Sequence, residues 1–232
     1  MKKLIIAFMV LFPILALANE GGENLEHAKN DLTDKASLQR GFKSFTHYCL
    51  GCHQLKYQRY NRTFADLGID EKDGLKNWML TGVKVGDHIT NTIPPEQSAK
   101  WFGVTPPDLT LEARYKSPDW IYTYLHSFYA DPSRPFGVNN KVFKDVAMPD
   151  VLQNLQGIRS IDEHGNLTAP VGGSMTAEQY DMFARDLTNF LEYVSEPSKL
   201  QRLNLGYWVL GFLVIFFIIS YFLKKEFWKD VH

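Results

Sequence analysis

The most constraining feature of this chain is the segment Cys49-Leu50-Gly51-Cys52-His53, which contains both of its cysteines. Two thiols three residues apart match the two vinyl groups of one haem, and a histidine directly after them can reach the iron from the proximal side. The spacing therefore predicts one haem c, attached covalently through Cys49 and Cys52, with His53 as an iron ligand.

Three other uses of this cysteine pair compete with haem attachment. A thioredoxin-like redox pair needs a strand before the motif, whereas the apolar spacing of Leu38, Phe42 and Phe45 predicts a helix that leads to Cys49. A structural disulfide between residues three apart would close a very small loop and stabilise little. A zinc site needs about four ligands, and the histidines other than His53 are scattered along the chain. Haem attachment explains the motif best.

The sixth iron position needs a second ligand, and methionine is usual in electron carriers because its soft sulfur favours ferrous iron. Of the six methionines, Met1 and Met9 belong to the predicted signal peptide and Met79 lies in an apolar stretch typical of core. Met182 lies off the apolar stripe of its helix, which leaves Met148 and Met175. Met148 precedes Pro149 in a long loop region that can cover the haem, whereas Met175 precedes a helix cap and can serve as packing. His126 is the histidine alternative. These residues favour Met148 and leave Met175 open.

Two apolar runs divide the chain into regions. Residues 1–18 have a basic start, a short apolar stretch and a small-residue end, which is typical of a cleaved signal peptide. Residues 205–223 carry no charge and as a helix would reach about 28 Å, enough to span a membrane. Aromatic side chains flank this run and lysines follow it, which predicts a cytoplasmic tail over residues 224–232. Residues 19–204 are then a single periplasmic haem domain.

Helical patterns dominate this domain. A capping box at Thr176 opens the most regular helix, a second helix begins at Ser117, and a third is expected over residues 71–80. Residues 131–140 and 157–173 are rich in Gly, Pro and Asn and show no convincing strand alternation. We therefore predict a mostly α, class I-like cytochrome c domain with long loops, plus one C-terminal transmembrane helix.

The charge balance bears on the partners of the domain. Residues 19–204 contain 20 basic and 24 acidic side chains, a net charge of −4. This balance argues against nucleic acid as a partner, and it fits a basic protein partner.

Four motifs in a fixed order resemble one known family. The haem motif is followed by Pro106-Pro107-Asp108-Leu109, by Ala147-Met148-Pro149, and by Ser195-Glu196-Pro197 directly before the C-terminal apolar run. The ordered set is similar to the cytochrome c1 family, the haem c subunits of the cytochrome bc1 complex, or ubiquinol–cytochrome c reductase. The resemblance covers essentially all of the chain after the signal peptide, and it is closest to the compact bacterial form.

The resemblance implies roles for several site residues. Met148 would be the distal iron ligand, and the carbonyl of Pro107 would accept the ring N–H of His53, which fixes the imidazole and raises its basicity. Basic residues that follow the Pro-Pro-Asp-Leu segment would face the haem propionates, and Arg114 and Lys116 occupy that stretch.

Two of these positions depart from the pattern of the family. The family commonly has two arginines in the propionate stretch, whereas a lysine such as Lys116 cannot offer the bidentate fork of an arginine. Trp120 stands where many relatives have a tyrosine that binds a propionate. Its indole N–H can also donate, although in a different direction.

The resemblance also implies function and partners. The haem would accept electrons from the Rieske iron–sulfur subunit and pass them to a soluble or membrane-bound cytochrome c, beside a cytochrome b subunit in the lipid of the bacterial inner membrane. By itself the chain would be an electron carrier within an oxidoreductase complex. The alternatives are a membrane-anchored monohaem cytochrome c that donates to a terminal oxidase, and a haem enzyme or gas sensor with an open sixth position.

Overall fold

The computed structural model describes residues 25–79 and 81–230, so the signal peptide predicted over residues 1–18 lies outside the described residues. The helices are α1 Lys35–Ser44, α2 Tyr60–Leu67, α3 Glu71–Asn77, α4 Pro95–Phe102, α5 Glu112–Tyr115, α6 Pro118–His126, α7 Gln153–Gln156, α8 Ala177–Ser195 and α9 Lys199–Phe227. The strands are β1 Leu55–Arg59, β2 His88–Ile89, β3 Phe128–Ala130, β4 Val138–Asn140, β5 Gly157–Ile158 and β6 Val171–Gly172.

Local capping explains where the main helices begin. The Asp34 carboxylate accepts the backbone N–H of Ser37 at 3.0 Å and opens α1. Thr176 and Gln179 form the predicted reciprocal capping box at the start of α8. Ser117 caps α6 through the N–H of Trp120. The helices predicted at these three positions are therefore confirmed.

The core lies where α1 crosses α8. The ring of Phe190 in α8 lies 5.2 Å from that of Phe42 and 6.0 Å from that of Phe45, and all three side chains are fully buried. At the same crossing Arg40 makes two hydrogen bonds to the Asp186 carboxylate, at 2.6 and 2.9 Å. Because α1 is held at this crossing, the chain that leaves its C-terminal end has a defined position.

The shorter elements differ from the prediction in detail. Helix α3 ends at Asn77, before the predicted residue 80, although Asp70 caps its start as a helix-opening residue should. Helices α2 and α4 were not predicted. Each is eight residues long, which is too short for a clear apolar repeat to emerge from the sequence.

Within residues 25–79 and 81–230, three two-stranded antiparallel sheets join segments that show no strand alternation. They pair β1 with β2, β3 with β4, and β5 with β6. Strand β4 lies in one region predicted as a loop, residues 131–140, and strands β5 and β6 lie in the other, residues 157–173. Strands of two or three residues expose no repeating face, so only the pairing with a neighbour defines them.

The fold class is confirmed: the described residues form a mostly α domain followed by one long apolar helix. Helix α9 has 29 residues and no buried side chain, and the predicted span of residues 205–223 lies within it. It is longer than the apolar run because the turns before residue 205 are also helical. At the rise of an α-helix this length is about 44 Å, more than a bilayer core requires.

Candidate haem site

The haem motif follows α1 through one wide turn of π-helix, Phe45–Cys49. The N–H of Leu50 donates to the Phe45 carbonyl at 2.9 Å, and the Cys49 carbonyl accepts from both Cys52 and His53, at 3.0 and 2.8 Å. Single π-turns inside helices are frequent at functional sites. Here the turn carries both cysteines and the histidine into the wall of one cavity.

The ring of His53 is held by the Pro-Pro-Asp-Leu segment. Its Nδ1 atom lies 2.8 Å from the Pro107 carbonyl oxygen, which leaves Nε2 as the free ring nitrogen. Desolvation lowers the pKa of His53, although the Pro107 hydrogen bond and the charge of Asp108 oppose the shift. The imidazole is therefore kept neutral, which is the state that binds a metal.

Asp108 fixes this segment beside the haem motif. One of its carboxylate oxygens accepts the N–H of Lys56 at 2.9 Å and the other accepts the N–H of Thr110 at 3.0 Å. In addition, the N–H of Leu109 donates to the Gln54 carbonyl at 2.9 Å. The bonds of Lys56 and Leu109 join the two chain segments directly after the contact between His53 and Pro107.

A cavity of about 380 Å³ brings the predicted site residues together. Its lining includes both cysteines, His53, Pro107, Met148, Lys116 and Trp120, and the rest of the wall is mainly aliphatic and aromatic. This donor set fits a haem c: thiols for its vinyl groups, an imidazole and a thioether for its iron, and apolar walls for its porphyrin.

Among the candidate sixth ligands, Met148 lines this cavity. The Oη atom of Tyr124 lies 3.4 Å from its sulfur. Met175 is not part of the cavity lining and packs against the hydrophobic core. His126 donates from Nδ1 to the Tyr122 carbonyl, 2.9 Å away, and packs between aromatic rings. The geometry thus separates Met148 from both alternatives.

The two basic candidates for propionate contact lie in different places. Lys116 lines the cavity, and its ammonium lies 5.3 Å from the centre of the Trp120 ring. Arg114 is not part of the cavity lining, and its guanidinium lies 3.9 Å from the Glu196 carboxylate. The structure therefore brings Lys116 and Trp120 into the site but not Arg114.

The environment of the cysteines bears on the rival uses of the motif. Burial raises the pKa of Cys49 to about 12 and also raises that of Cys52. A reactive redox pair needs a lowered cysteine pKa. A thioredoxin-like pair also follows a strand, whereas this motif follows a helix. Among the described residues, no group of three or more His, Cys, Asp or Glu side chains could hold a metal ion. Neither the thioredoxin-like nor the zinc alternative gains support.

Sequence reasoning missed two features of the site. One is the residue Tyr124, and the other is the set of hydrogen bonds by which Asp108 holds the Pro107 segment beside the haem motif. Tyr124 follows Trp120 by four residues within α6, which places the two side chains on one face of that helix. That spacing was a usable signal. The hydrogen bond from Lys56 to Asp108 joins residues 52 positions apart, and no local sequence pattern predicts it.

A C-x-x-C-H segment and a methionine line one cavity of a mostly helical domain, and a long apolar helix follows this domain. Together these features define a membrane-anchored c-type cytochrome. The sequence profile described as "Cytochrome C1 family" matches residues 27–231. The chain therefore belongs to the cytochrome c1 family, whose members are haem electron-transfer subunits of the cytochrome bc1 complex.

Three relatives match nearly all or all of this chain. The cytochrome c1 of Allochromatium vinosum is 50% identical over 244 residues, covering 100% of both chains. The ammonia monooxygenase gamma subunit of Nitrosomonas europaea is 42% identical, covering 100% of this chain and 99% of its own. The cytochrome c1 of Rhodospirillum rubrum is 29% identical over 93% of this chain and 92% of its own.

Proposed function

We propose that this chain is the subunit of ubiquinol–cytochrome c reductase that accepts electrons from the Rieske iron–sulfur protein and passes them to a cytochrome c. The observation that carries the proposal is the shared cavity of Cys49, Cys52, His53 and Met148, in a chain that belongs to the cytochrome c1 family. By itself the protein is an electron carrier, and the complete quinol reaction requires the other subunits.

In this proposal one haem c is bound covalently through Cys49 and Cys52, with His53 and Met148 as iron ligands. When bound, the haem supplies a reversible one-electron couple at its iron. His53 provides a neutral nitrogen whose orientation the Pro107 carbonyl sets. Met148 provides a soft sulfur that favours the ferrous state, and the apolar wall excludes water, which disfavours the additional charge of the ferric state.

The other site residues are proposed to act at the rim of this cavity. Lys116 and Trp120 would contact the propionates, since both line the cavity. Arg114, which pairs with Glu196, would contribute to the field without direct contact. Glu112 also lines the cavity, and burial raises its pKa above the usual value.

The proposed topology places the protein in the bacterial inner membrane with a single span. Residues 19–204 form the periplasmic domain, residues 205–223 cross the bilayer, and residues 224–232 form the cytoplasmic tail. The apolar length of α9 and the three lysines after the span support this orientation. Within the bilayer the helix would contact lipid and the cytochrome b subunit, and the acidic domain would favour encounter with a basic cytochrome c.

The ligand assignment is tested by the optical spectrum of the purified full-length protein. The wild type is expected to show a low-spin c-type spectrum with a thioether-to-iron charge-transfer band. Met148→Leu should lose that band and gain carbon monoxide binding in the reduced state, whereas the control Met175→Leu should keep the band. If Met148→Leu keeps the band and Met175→Leu loses it, Met175 is the ligand. Absence of covalent haem from the wild type contradicts the whole proposal.

The assembly is tested by affinity purification of the chain from mildly solubilised membranes. Recovery of a cytochrome b and a Rieske protein in stoichiometric amounts is expected. Purification without them, together with retained electron donation to a terminal oxidase, would instead identify a separate membrane-anchored cytochrome c.

A further inference from the structure

The sulfur of Met148 has a hydrogen-bond donor of its own. The hydroxyl of Tyr124 in α6 lies 3.4 Å from Met148 Sδ, within the distance at which a thioether accepts an O–H. Both side chains line the cavity. The contact therefore lies inside the site, against the atom that the proposed function assigns to the iron.

The tyrosine ring is held so that its hydroxyl stays at the sulfur. It stacks on Trp120, with ring centres 5.0 Å apart and planes 12° apart, and it meets the edge of Phe128 at 5.1 Å. The backbone carbonyl of Tyr124 accepts a hydrogen bond from the Asn140 amide at 2.8 Å. Two rings and one backbone anchor thus fix the position of the Tyr124 hydroxyl oxygen beside the sulfur.

The hydroxyl of Tyr124 is available as a hydrogen-bond donor, because a tyrosine hydroxyl is protonated throughout the physiological pH range. A shielded hydroxyl of this kind needs an acceptor, and the Met148 sulfur is within reach.

We propose that Tyr124 is a positioning residue that orients the Met148 sulfur and tunes its strength as a ligand. The inference rests on the proposed function, because it takes Met148 as the iron ligand. A thioether sulfur has two lone pairs, of which one can bind iron while the other accepts the tyrosine O–H. The hydrogen bond draws electron density from the sulfur and makes it a weaker electron donor to the iron. This change destabilises the ferric state more than the ferrous state. Tyr124 therefore raises the reduction potential.

The matched pair Tyr124→Phe and Tyr122→Phe tests this role in the purified full-length haem protein. Both variants remove one hydroxyl from α6 and keep the ring, but Tyr122 donates to Asp181 outside the cavity. Loss of one hydrogen bond corresponds to a two- to tenfold change in an equilibrium ratio. At ~59 mV per tenfold for one electron, Tyr124→Phe should lower the midpoint potential by about 20–60 mV.

The control separates ligand tuning from a general packing effect. Tyr122→Phe should leave the midpoint potential and the thioether-to-iron band at their wild-type values, and Tyr124→Phe should shift both. An unchanged potential and band in Tyr124→Phe, with the band present in the wild type, overturns the role of Tyr124 and leaves the proposed function standing. A wild-type spectrum without that band overturns both, because Met148 is then not the ligand.

Discussion

Gly41 in α1 lies so close to Asp186 in α8 that a Cβ atom on it would come within 2.0 Å of the Asp186 carbonyl oxygen. The same Cβ would lie 2.7 Å from Cβ of Phe190. The Asp186 carbonyl and the Phe190 Cβ belong to the body of α8 and cannot move aside as a flexible side chain could. The two helices therefore approach this closely only because residue 41 has no side chain. Since α1 leads into the haem motif, this contact helps to place Cys49.

Gly41→Ala is expected to force α1 and α8 apart and to lower the free energy of unfolding by about 1–3 kcal/mol or more. Thermal unfolding of the detergent-solubilised protein measures the effect as a drop in Tm of several degrees. Gly86→Ala is the control, because a Cβ there meets no heavy atom within 4 Å. Equal melting temperatures for the two variants would falsify the close-contact argument.

Asp108→Ala is expected to loosen the Pro107 carbonyl from the His53 ring, because two backbone N–H groups lose their acceptor. A less polarised imidazole and the loss of a nearby negative charge both favour ferrous iron, so the midpoint potential should rise. Stability should fall by about 1–3 kcal/mol. Redox titration and thermal unfolding measure the two effects.

Asp70→Ala is the matched control for this prediction. Asp70 also accepts two backbone N–H groups, those of Lys72 and Asp73, but it caps α3 and does not line the cavity. The Asp70→Ala substitution should lower the free energy of unfolding and leave the midpoint potential unchanged. A potential that moves equally in both variants would show that the shift reports general loosening of the fold.

Lys116→Gln and Arg114→Gln should differ in their effect on the potential. Lys116 lines the cavity whereas Arg114 pairs with Glu196, so removal of the Lys116 charge should lower the midpoint potential by roughly 10–40 mV, the equivalent of an exposed ion pair. Arg114→Gln should change it less. Redox titration at low ionic strength tests the order, and a larger shift for Arg114→Gln would reverse the assignment of the propionate contact.

The acid stability of the protein should depend on His126. Desolvation lowers the pKa of this half-buried side chain, against the Tyr122 carbonyl and nearby carboxylates that raise it. The unfolded chain then binds a proton near pH ~6.5 while the folded protein still does not. The contribution of neutral His126 to the free energy of unfolding is therefore complete above this pH. It is lost as the pH falls toward the lower pKa of His126 in the folded protein.

The expected result is a steeper fall of Tm between pH ~7.5 and pH ~5.5 in the wild type than in His126→Gln. Glutamine can still donate to the Tyr122 carbonyl, so the comparison isolates the titration. Parallel curves for the two proteins would mean that His126 has no part in acid unfolding.

The sequence by itself determined the features that depend on residues close together in the chain. The spacing of Cys49, Cys52 and His53 predicted the haem motif, and the pair Thr176 and Gln179 predicted the start of α8. The uncharged residues 205–223 predicted the apolar helix. Each of these signals lies within one element, because capping, helical periodicity and hydropathy are local properties.

Only the tertiary structure decided which distant residues meet. It placed Lys116 rather than Arg114 in the cavity and set the Tyr124 hydroxyl at a sulfur 24 positions away. It also shows His53 against the Pro107 carbonyl, 54 positions away, a contact that the family resemblance implied but that no local pattern predicts. Such pairs depend on the crossing of α1 and α8 and on the path of the loops between elements, which arise from packing across the whole core. No local pattern carries that information, so these contacts could not be derived from the order of residues alone.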